Sequence, residues 1–254
     1  MELVLITALG IGGATVAGAL IGFLFKKIPH EFNDGVLGFA AGVMLAAAII
    51  GLILPSISFG GKHGILITAA GIFVGAFFLN FLDRFTPHLH RISGIDREKH
   101  PGGTEQLNKV LLFVLAIGIH NLPEGIAAGV SFGTGNIGDA MTVALGIALQ
   151  NIPEGMIIIS PLLMAGVTKT RTFCIAAFTG LVEVVGTMLG YFAVTVAAVI
   201  LPFALAFAGG TMLYIISDEM IPETHSHGFQ RLATYSLLFG FVVMLVMDHY
   251  LAAM

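Results

Sequence analysis

Apolar residues run through this chain in long unbroken blocks that short polar connections separate. Each block is about 20 residues long, which is enough for a helix to cross a bilayer, and none alternates as a transmembrane β-strand does. The pattern therefore predicts an all-α integral membrane protein with eight transmembrane helices. The predicted spans are Leu3–Phe25, Gly35–Ile57, Gly64–Leu82, Val110–Phe132, Ala140–Leu163, Phe173–Ala197, Ile200–Ile221 and Leu232–Ala253.

The composition agrees with this pattern. Hydrophobic residues make up 57% of the chain and charged residues only 10%, whereas soluble domains carry about 25% charged residues. The connections are too short for a separate soluble domain, so we expect residues 1–254 to form one transmembrane domain in the cell (inner or plasma) membrane, with no nucleic-acid partner. No basic segment precedes the first block, which we interpret as a retained span and not a cleaved signal peptide.

Lys and Arg are distributed unevenly among the connections. If the connections between spans are numbered along the chain, ten of the eleven Lys and Arg residues lie in the odd-numbered ones. Lys62, in the second connection, is the exception. Basic residues favour the cytoplasmic side, so both termini are expected to face outward. The longest cytoplasmic loop, 83–109, contains His88 and His90. It is either a flexible linker or a metal-handling loop, since histidines that converge bind metal.

Two related hexapeptides lie in the middle of the fourth and fifth spans, His120–Gly125 and Gln150–Gly155. Each places a metal-capable side chain and a glutamate one helical turn apart, on one face of the helix. Each also contains a proline that removes a hydrogen bond from the helix interior and predicts a bend. Pairs of interrupted helices near the membrane midplane indicate a transporter's binding site.

Glu183 lies half-way along the sixth span, and no span interior contains a Lys or Arg to pair with it or with Glu124 and Glu154. Buried carboxylates without cationic partners must be protonated, hydrated or bound to metal. With His120 and Gln150 they form a ligand set that suits a divalent first-row ion and not copper(I). The alternative is that Glu183 and His120 are hydrogen-bonded packing groups.

Other polar groups have weaker assignments. Asn121 and Asn151 could bind metal or could cap freed backbone groups. The stretch 217–227, which includes Glu223 and His225, is either a solvated helix end or an exit station for a cation.

These motifs resemble those of the ZIP (Zrt/Irt-like protein) family of divalent metal transporters, in its gufA-type prokaryotic branch. The resemblance rests on the two hexapeptides and Glu183. It extends to Asp83-Arg84 with 87–90 after the third span, and to 221–225 after the seventh. It covers essentially the whole chain.

The resemblance implies an inverted-repeat transporter that moves metal toward the cytoplasm. Spans one, four, five and six would move as an elevator against spans two, three, seven and eight. It also implies a primary metal site, a neighbouring second site and a cytoplasmic exit or regulatory site. The implied transport-site ligands are His120, Asn121, Glu124, Gln150, Asn151, Glu154 and Glu183, and the implied exit-site ligands are His88, His90, Glu223 and His225.

One departure from the family pattern concerns charge. Asn151 stands where two-metal relatives have aspartate, which makes the second site less negative.

The function expected from these residues is transport of Zn²⁺, or of Fe²⁺, Mn²⁺ or Cd²⁺, as substrate through the lipid bilayer, without a catalytic cofactor; a homodimer is left open. Two alternatives use the same residues. One is an intramembrane metal-dependent hydrolase, although the chain lacks a His-Glu-x-x-His motif. The other is a proton-coupled transporter for an organic cation.

Overall fold

The computed structural model describes residues 1–25, 28–83, 118–164 and 167–251. Eight helices account for nearly all of these residues, and no β-strand occurs among them. The helices are α1 (Glu2–Gly22), α2 (His30–Phe59), α3 (Gly64–Asp83), α4 (118–131, the described part), α5 (Ile137–Met164), α6 (Lys169–Val196), α7 (Ala198–Thr224) and α8 (Gln230–Leu251).

The eight helices correspond one to one with the eight predicted spans, which confirms the all-α membrane fold. Seven of them are long and apolar enough to cross a membrane by themselves, and α4 is described over only part of its predicted length. Helix α5 continues without interruption through Pro153, so the hexapeptide lies within a regular helix there. The outward termini, the inverted repeat and the proline bends stay predictions.

Local sequence explains where several helices begin. The side chain of Asn136 accepts a hydrogen bond from the backbone N–H of Gly138 at 2.9 Å at the start of α5. Thr168 accepts similarly from Arg171 at the start of α6. These side chains satisfy backbone donors that a helix leaves free at its first turn. In α7 a short 3-10 turn, Ala198–Ile200, precedes the α-helical part, and Pro202 lies in the first turn of that part, where its missing N–H has no cost.

Close backbone packing divides the helices into two groups. In the first, α1, α4, α5 and α6 touch through glycines: a Cβ at Gly18 would collide with the backbone of Ile152, and one at Gly125 with the backbone of Glu183. We call α1, α4, α5 and α6 the first body. Such small residues allow helices to approach closely in membranes.

The remaining helices, α2, α3, α7 and α8, form the second body. Glycines again allow backbone contact, between α2 and α8 at Gly42 and between α3 and α7 at Gly75. Where described glycines face across the boundary between the bodies, they meet side chains instead: Gly51 faces Val143, and Gly146 faces Met244. The apolar core lies along this boundary, because Met244 and Val143 are both fully buried.

Two of the second-body helices contain a π-helical segment, Ala47–Ile53 in α2 and Ile216–Met220 in α7. Segments of this kind widen the helix locally and occur frequently at functional sites. The segment in α7 contains Asp218 and Glu219, which places acidic side chains in the interior of a long apolar helix.

Candidate metal site

The two hexapeptides meet in the protein interior, as their sequences predict. The side-chain amide of Gln150 on α5 donates a hydrogen bond to Oε1 of Glu124 on α4 at 2.8 Å. Both side chains are buried, with 0% and 1% of their surface exposed. A carboxylate and an amide from the two motifs are therefore in direct contact.

Glu183 on α6 lies in the same buried region and accepts hydrogen bonds from three side chains. The hydroxyl of Thr15 on α1 lies 3.0 and 3.1 Å from its two carboxylate oxygens. Asn121 donates to Oε1, and Asn151 donates to Oε2 at 2.8 Å. Helices α1, α4, α5 and α6 thus converge on one carboxylate, and both asparagines turn their amide nitrogens toward it.

Three oxygen acceptors in this region have no hydrogen-bond partner among the described residues. They are Oε2 of Glu124, Oε1 of Gln150 and Oδ1 of Asn151. Each is buried, and a buried acceptor without a donor costs about 1–3 kcal/mol. Carboxylate and amide oxygens are ligands for divalent cations, so the unpaired oxygens are the part of the site best suited to bind one.

His120 connects the site to the second body. Its Nε2 atom lies 2.8 Å from Oε1 of Glu219 on α7, and both side chains are largely buried. Glu154 is less enclosed than Glu124 and interacts electrostatically with both His120 and Glu219. The contact between His120 and Glu219 is therefore a polar link across the boundary between the two bodies.

The predicted ligands do not form a finished metal site in this arrangement. Within the described ranges, no three side chains of His, Cys, Asp or Glu converge closely enough to hold a metal ion. Glu183 is engaged by Thr15 and the two asparagines, and His120 is in contact with Glu219. Binding a metal at this site requires some of these contacts to exchange.

The predicted exit site is only partly described. His88 and His90 lie outside the described residues. His225 has both ring nitrogens within hydrogen-bonding distance of protein groups, Nδ1 at 2.9 Å from the carbonyl of Ile221 and Nε2 at 3.3 Å from the hydroxyl of Thr234. Glu223 lies beside His227 instead.

Sequence reasoning did not identify Thr15 or Glu219 as part of the site. A threonine on an apolar helix carries no distinctive signal, and its contact with Glu183 joins residues far apart in the chain. For Glu219 a signal was present, because an acidic residue within a long apolar segment is unusual.

Comparison with known proteins places the chain in a family. The model of the family described as ZIP Zinc transporter matches residues 94–248. Over 174 residues the chain is 45% identical to the zinc transporter GufA of Myxococcus xanthus, covering 68% of this chain and 67% of that protein.

Two further relatives match over most of the chain. The zinc transporter ZIPB of Bordetella bronchiseptica is 37% identical over 242 residues, covering 92% of this chain and 77% of that protein. The zinc transporter ZupT of Chlorobaculum parvum is 35% identical over 248 residues, covering 92% of each. The chain belongs to the ZIP family, and it is a transporter and not an enzyme.

Proposed function

We propose that this protein carries a divalent transition-metal ion, zinc in the first place, across the membrane into the cytoplasm. The ion binds between α4, α5 and α6, and alternating access moves it from one side to the other. Its ligands come from His120, Asn121, Glu124, Gln150, Asn151, Glu154 and Glu183.

The observation that carries this proposal is the set of unpaired buried oxygens on Glu124, Gln150 and Asn151. They belong to both hexapeptides, and Glu124 and Gln150 are already in contact. A doubly charged cation would satisfy these acceptors and offset the cost of burying several carboxylates together. A purely structural role for the hexapeptides would leave all three oxygens unexplained.

Glu183 joins the metal through an exchange of partners. In the metal-free arrangement its oxygens accept from Thr15, Asn121 and Asn151. A metal that binds Oδ1 of Asn151 draws this amide away and releases a carboxylate oxygen of Glu183 for coordination. The hydrogen bonds thus hold the carboxylate in place until the ion arrives.

Zinc is the first expectation for the ion, because the ligand types accept it and the names of the relatives distinguish it from the other ions. Carboxylate, amide and imidazole groups form a hard-to-borderline ligand set that zinc accepts readily. Two relatives that match over 92% of this chain are also named zinc transporters. Fe²⁺, Mn²⁺ and Cd²⁺ fit the same ligand types and are the expected competitors.

The division into two bodies supports an elevator-like movement. Backbone contacts at glycines hold the helices of each body together, whereas side chains such as Met244 and Val143 fill the boundary between them. Side chains repack at lower cost than interlocked backbones. All seven proposed ligands lie on α4, α5 and α6, which belong to the first body. Movement of the first body would therefore carry the whole site with it.

Uptake measured in proteoliposomes tests the proposal. Glu124→Gln and Glu154→Gln keep the side-chain volume and remove the charge, and Glu2→Gln, at an exposed residue of α1, is the matched control. We expect zinc uptake to fall by at least roughly tenfold in the two site variants and to be unchanged in the control. Wild-type uptake in both site variants would refute the proposal.

The organic-cation alternative is tested in the same vesicles. If zinc is the substrate, a quaternary or primary ammonium compound does not inhibit zinc uptake, whereas cadmium does. Inhibition by the ammonium compound, together with proton-coupled uptake of that compound, would favour the alternative.

A further inference from the structure

An open groove lies on the boundary between the two bodies, where the first turns of α2 and α8 face α5. Its volume is about 640 Å³, which is within the range of roughly 300–1,000 Å³ that proteins use to bind small molecules. Helices α2 and α8 of the second body form its walls, and the buried Pro153 of the first body borders it from α5. A molecule in the groove would therefore touch both bodies.

The sequence of α2 explains why this part of the boundary is hollow. Glu31, Gly35 and Phe39 all line the groove, because residues four apart lie on the same face of a helix. The middle position has no side chain. A Cβ at Gly35 would lie 3.5 Å from the side chain of Leu232 on α8, which is an ordinary van der Waals distance. The space thus results from a missing side chain, and not from a close backbone contact as at Gly42.

The lining of the groove favours hydrocarbon over water. Among the described residues that line it, only Glu31 and Ser236 have polar side chains, whereas an ordered water needs two to four polar partners. Phe32 and Leu232 at its edge are 43% and 40% exposed, and both belong to helices that cross the membrane. Lipid chains therefore surround the opening, and an unfilled groove would lose dispersion contacts that an acyl chain supplies.

Charged residues at the starts of the two helices indicate which lipid fits. Glu31 lies in the first turn of α2 and lines the groove, while Arg231 immediately precedes Leu232 at the start of α8. Both are exposed, and no salt bridge joins either of them to another residue in the described part of the chain. A zwitterionic headgroup complements this pair, because its ammonium pairs with a carboxylate and its phosphate with a guanidinium.

We propose that the groove binds one molecule of phosphatidylethanolamine, with an acyl chain against Phe39 and Pro153 and the ammonium group at Glu31. A primary ammonium donates hydrogen bonds to a carboxylate, which the trimethylated ammonium of phosphatidylcholine does not. The acyl chain fills a part of the boundary that protein side chains such as Met244 and Val143 fill elsewhere. This lipid site goes beyond the proposed function and does not depend on it.

Photolabelling tests the position of the lipid. The purified full-length protein is placed in phosphatidylcholine nanodiscs that contain a small fraction of phosphatidylethanolamine with a diazirine in its acyl chain. After irradiation, mass spectrometry of peptides locates the label. We expect it to concentrate on Phe32, Val36 and Phe39, relative to Phe77 on α3, which is 70% exposed and lies outside the groove. Unlabelled phosphatidylethanolamine should compete better than phosphatidylglycerol or phosphatidylcholine.

Filling the groove with protein should exclude the lipid. Gly35→Leu places a side chain in the space beside Leu232, and we expect labelling of Phe39 to fall to the level found at Phe77. Gly13→Leu is the matched control, because Gly13 is an exposed glycine of α1 whose added Cβ meets open space. Its labelling pattern should equal that of the wild-type protein.

Removing the carboxylate tests the headgroup. Glu31→Gln should lower the preference for phosphatidylethanolamine over phosphatidylcholine by roughly twofold to fivefold, as for the loss of an exposed ion pair. Glu2→Gln, at an exposed residue of α1, should leave the preference unchanged. Size-exclusion profiles and thermal melts identify any variant that fails to fold. If Gly35→Leu fails, Glu31→Gln decides, because it changes an exposed side chain at constant volume.

The proposal is wrong if the label spreads evenly over exposed apolar residues, if Gly35→Leu is labelled as the wild-type protein is, or if phosphatidylglycerol competes as well as phosphatidylethanolamine. It is also wrong if the groove stays unlabelled and Gly35→Leu dissociates a dimer, because a second copy of the chain then fills the groove. None of these measurements uses zinc, so failure of the proposed function would leave their results unchanged.

Discussion

Gln150 donates its side-chain amide to the carboxylate of Glu124 across the interface between α4 and α5, at 2.8 Å. The other oxygen of each side chain has no hydrogen-bond partner among the described residues. One hydrogen bond thus joins the two motifs, and one oxygen on each side chain is left as an acceptor that a cation could satisfy. This arrangement leads to predictions in which stability and transport respond differently to the same substitution.

Glu124→Gln is expected to abolish transport without destabilising the protein. The substitution removes a charge from a buried position, and burying a charge without a cationic partner is costly, so an amide of the same shape should not destabilise the fold. Zinc uptake should fall by at least roughly tenfold, while the melting temperature without metal stays equal or rises. A marked drop in that melting temperature would show that the carboxylate has a structural role instead.

Thr15→Val is expected to destabilise the metal-free protein. The hydroxyl of Thr15 donates to both oxygens of Glu183, and a hydrogen bond to a charged group contributes about 1.5–3 kcal/mol. Thr7→Val on the same helix is the control, because the hydroxyl of Thr7 donates only a weak hydrogen bond within the described part of the chain, to the sulfur of Met141 at 3.9 Å. Unfolding of both variants in denaturant, without metal, gives the comparison; equal losses would contradict the role assigned to Thr15.

Much of the fold was predictable, because the length of an apolar block determines whether a helix can cross the bilayer. The predicted start of α2 was less accurate: the helix begins at His30 and not at Gly35. Its first turns are polar, and they lie inside the helix because Asp34 packs against His227 from the α7–α8 connection. The hydrophobic pattern around residue 34 gives no information about a contact with a residue so far away in the sequence.

The contact between the two hexapeptides was also predictable, whereas the role of their residues as metal ligands stays a prediction. Repetition of one hexapeptide indicated that α4 and α5 would share a site, and the contact between Glu124 and Gln150 agrees with it. Thr15 and Glu219 were not predicted as partners, because their contacts with Glu183 and His120 join helices that are distant in the sequence. The packing of the helices determines which polar side chains form hydrogen bonds with each other, and the periodicity of the sequence does not predict this packing.

Asn151→Asp is expected to make the protein less stable without zinc and more strongly stabilised by it. Nδ2 of Asn151 donates to Glu183 at 2.8 Å, and aspartate would replace this hydrogen bond by repulsion between two carboxylates. A bound divalent ion would remove the repulsion and gain a charged ligand. Melting temperatures with and without zinc measure the effect. A zinc-induced increase no larger than that of the wild-type protein would place residue 151 outside the site.

Gly12→Ala and Gly13→Ala are expected to have opposite effects on stability, although the residues are neighbours on α1. A Cβ at Gly12 would collide with the backbone of Gly180 on α6, whereas one at Gly13 meets open space. Overpacking costs about 1–3 kcal/mol, and alanine favours a helix over glycine by about 1 kcal/mol. Thermal melts of both variants test the close packing of the first body. Equal stability would mean that α1 and α6 separate easily.

Glu219→Gln is expected to strengthen zinc binding at the candidate metal site and to slow transport. Oε1 of Glu219 lies 2.8 Å from Nε2 of His120, so glutamate and metal compete for the same imidazole nitrogen. A neutral amide competes less well, because hydrogen bonds between charged groups are roughly twice as strong as neutral ones. Asp218→Asn, at the preceding residue of the same π-helical segment, is the control. Equilibrium zinc binding and uptake are measured on each variant and on the wild-type protein. Weaker zinc binding in Glu219→Gln would instead identify Glu219 as a ligand of the metal.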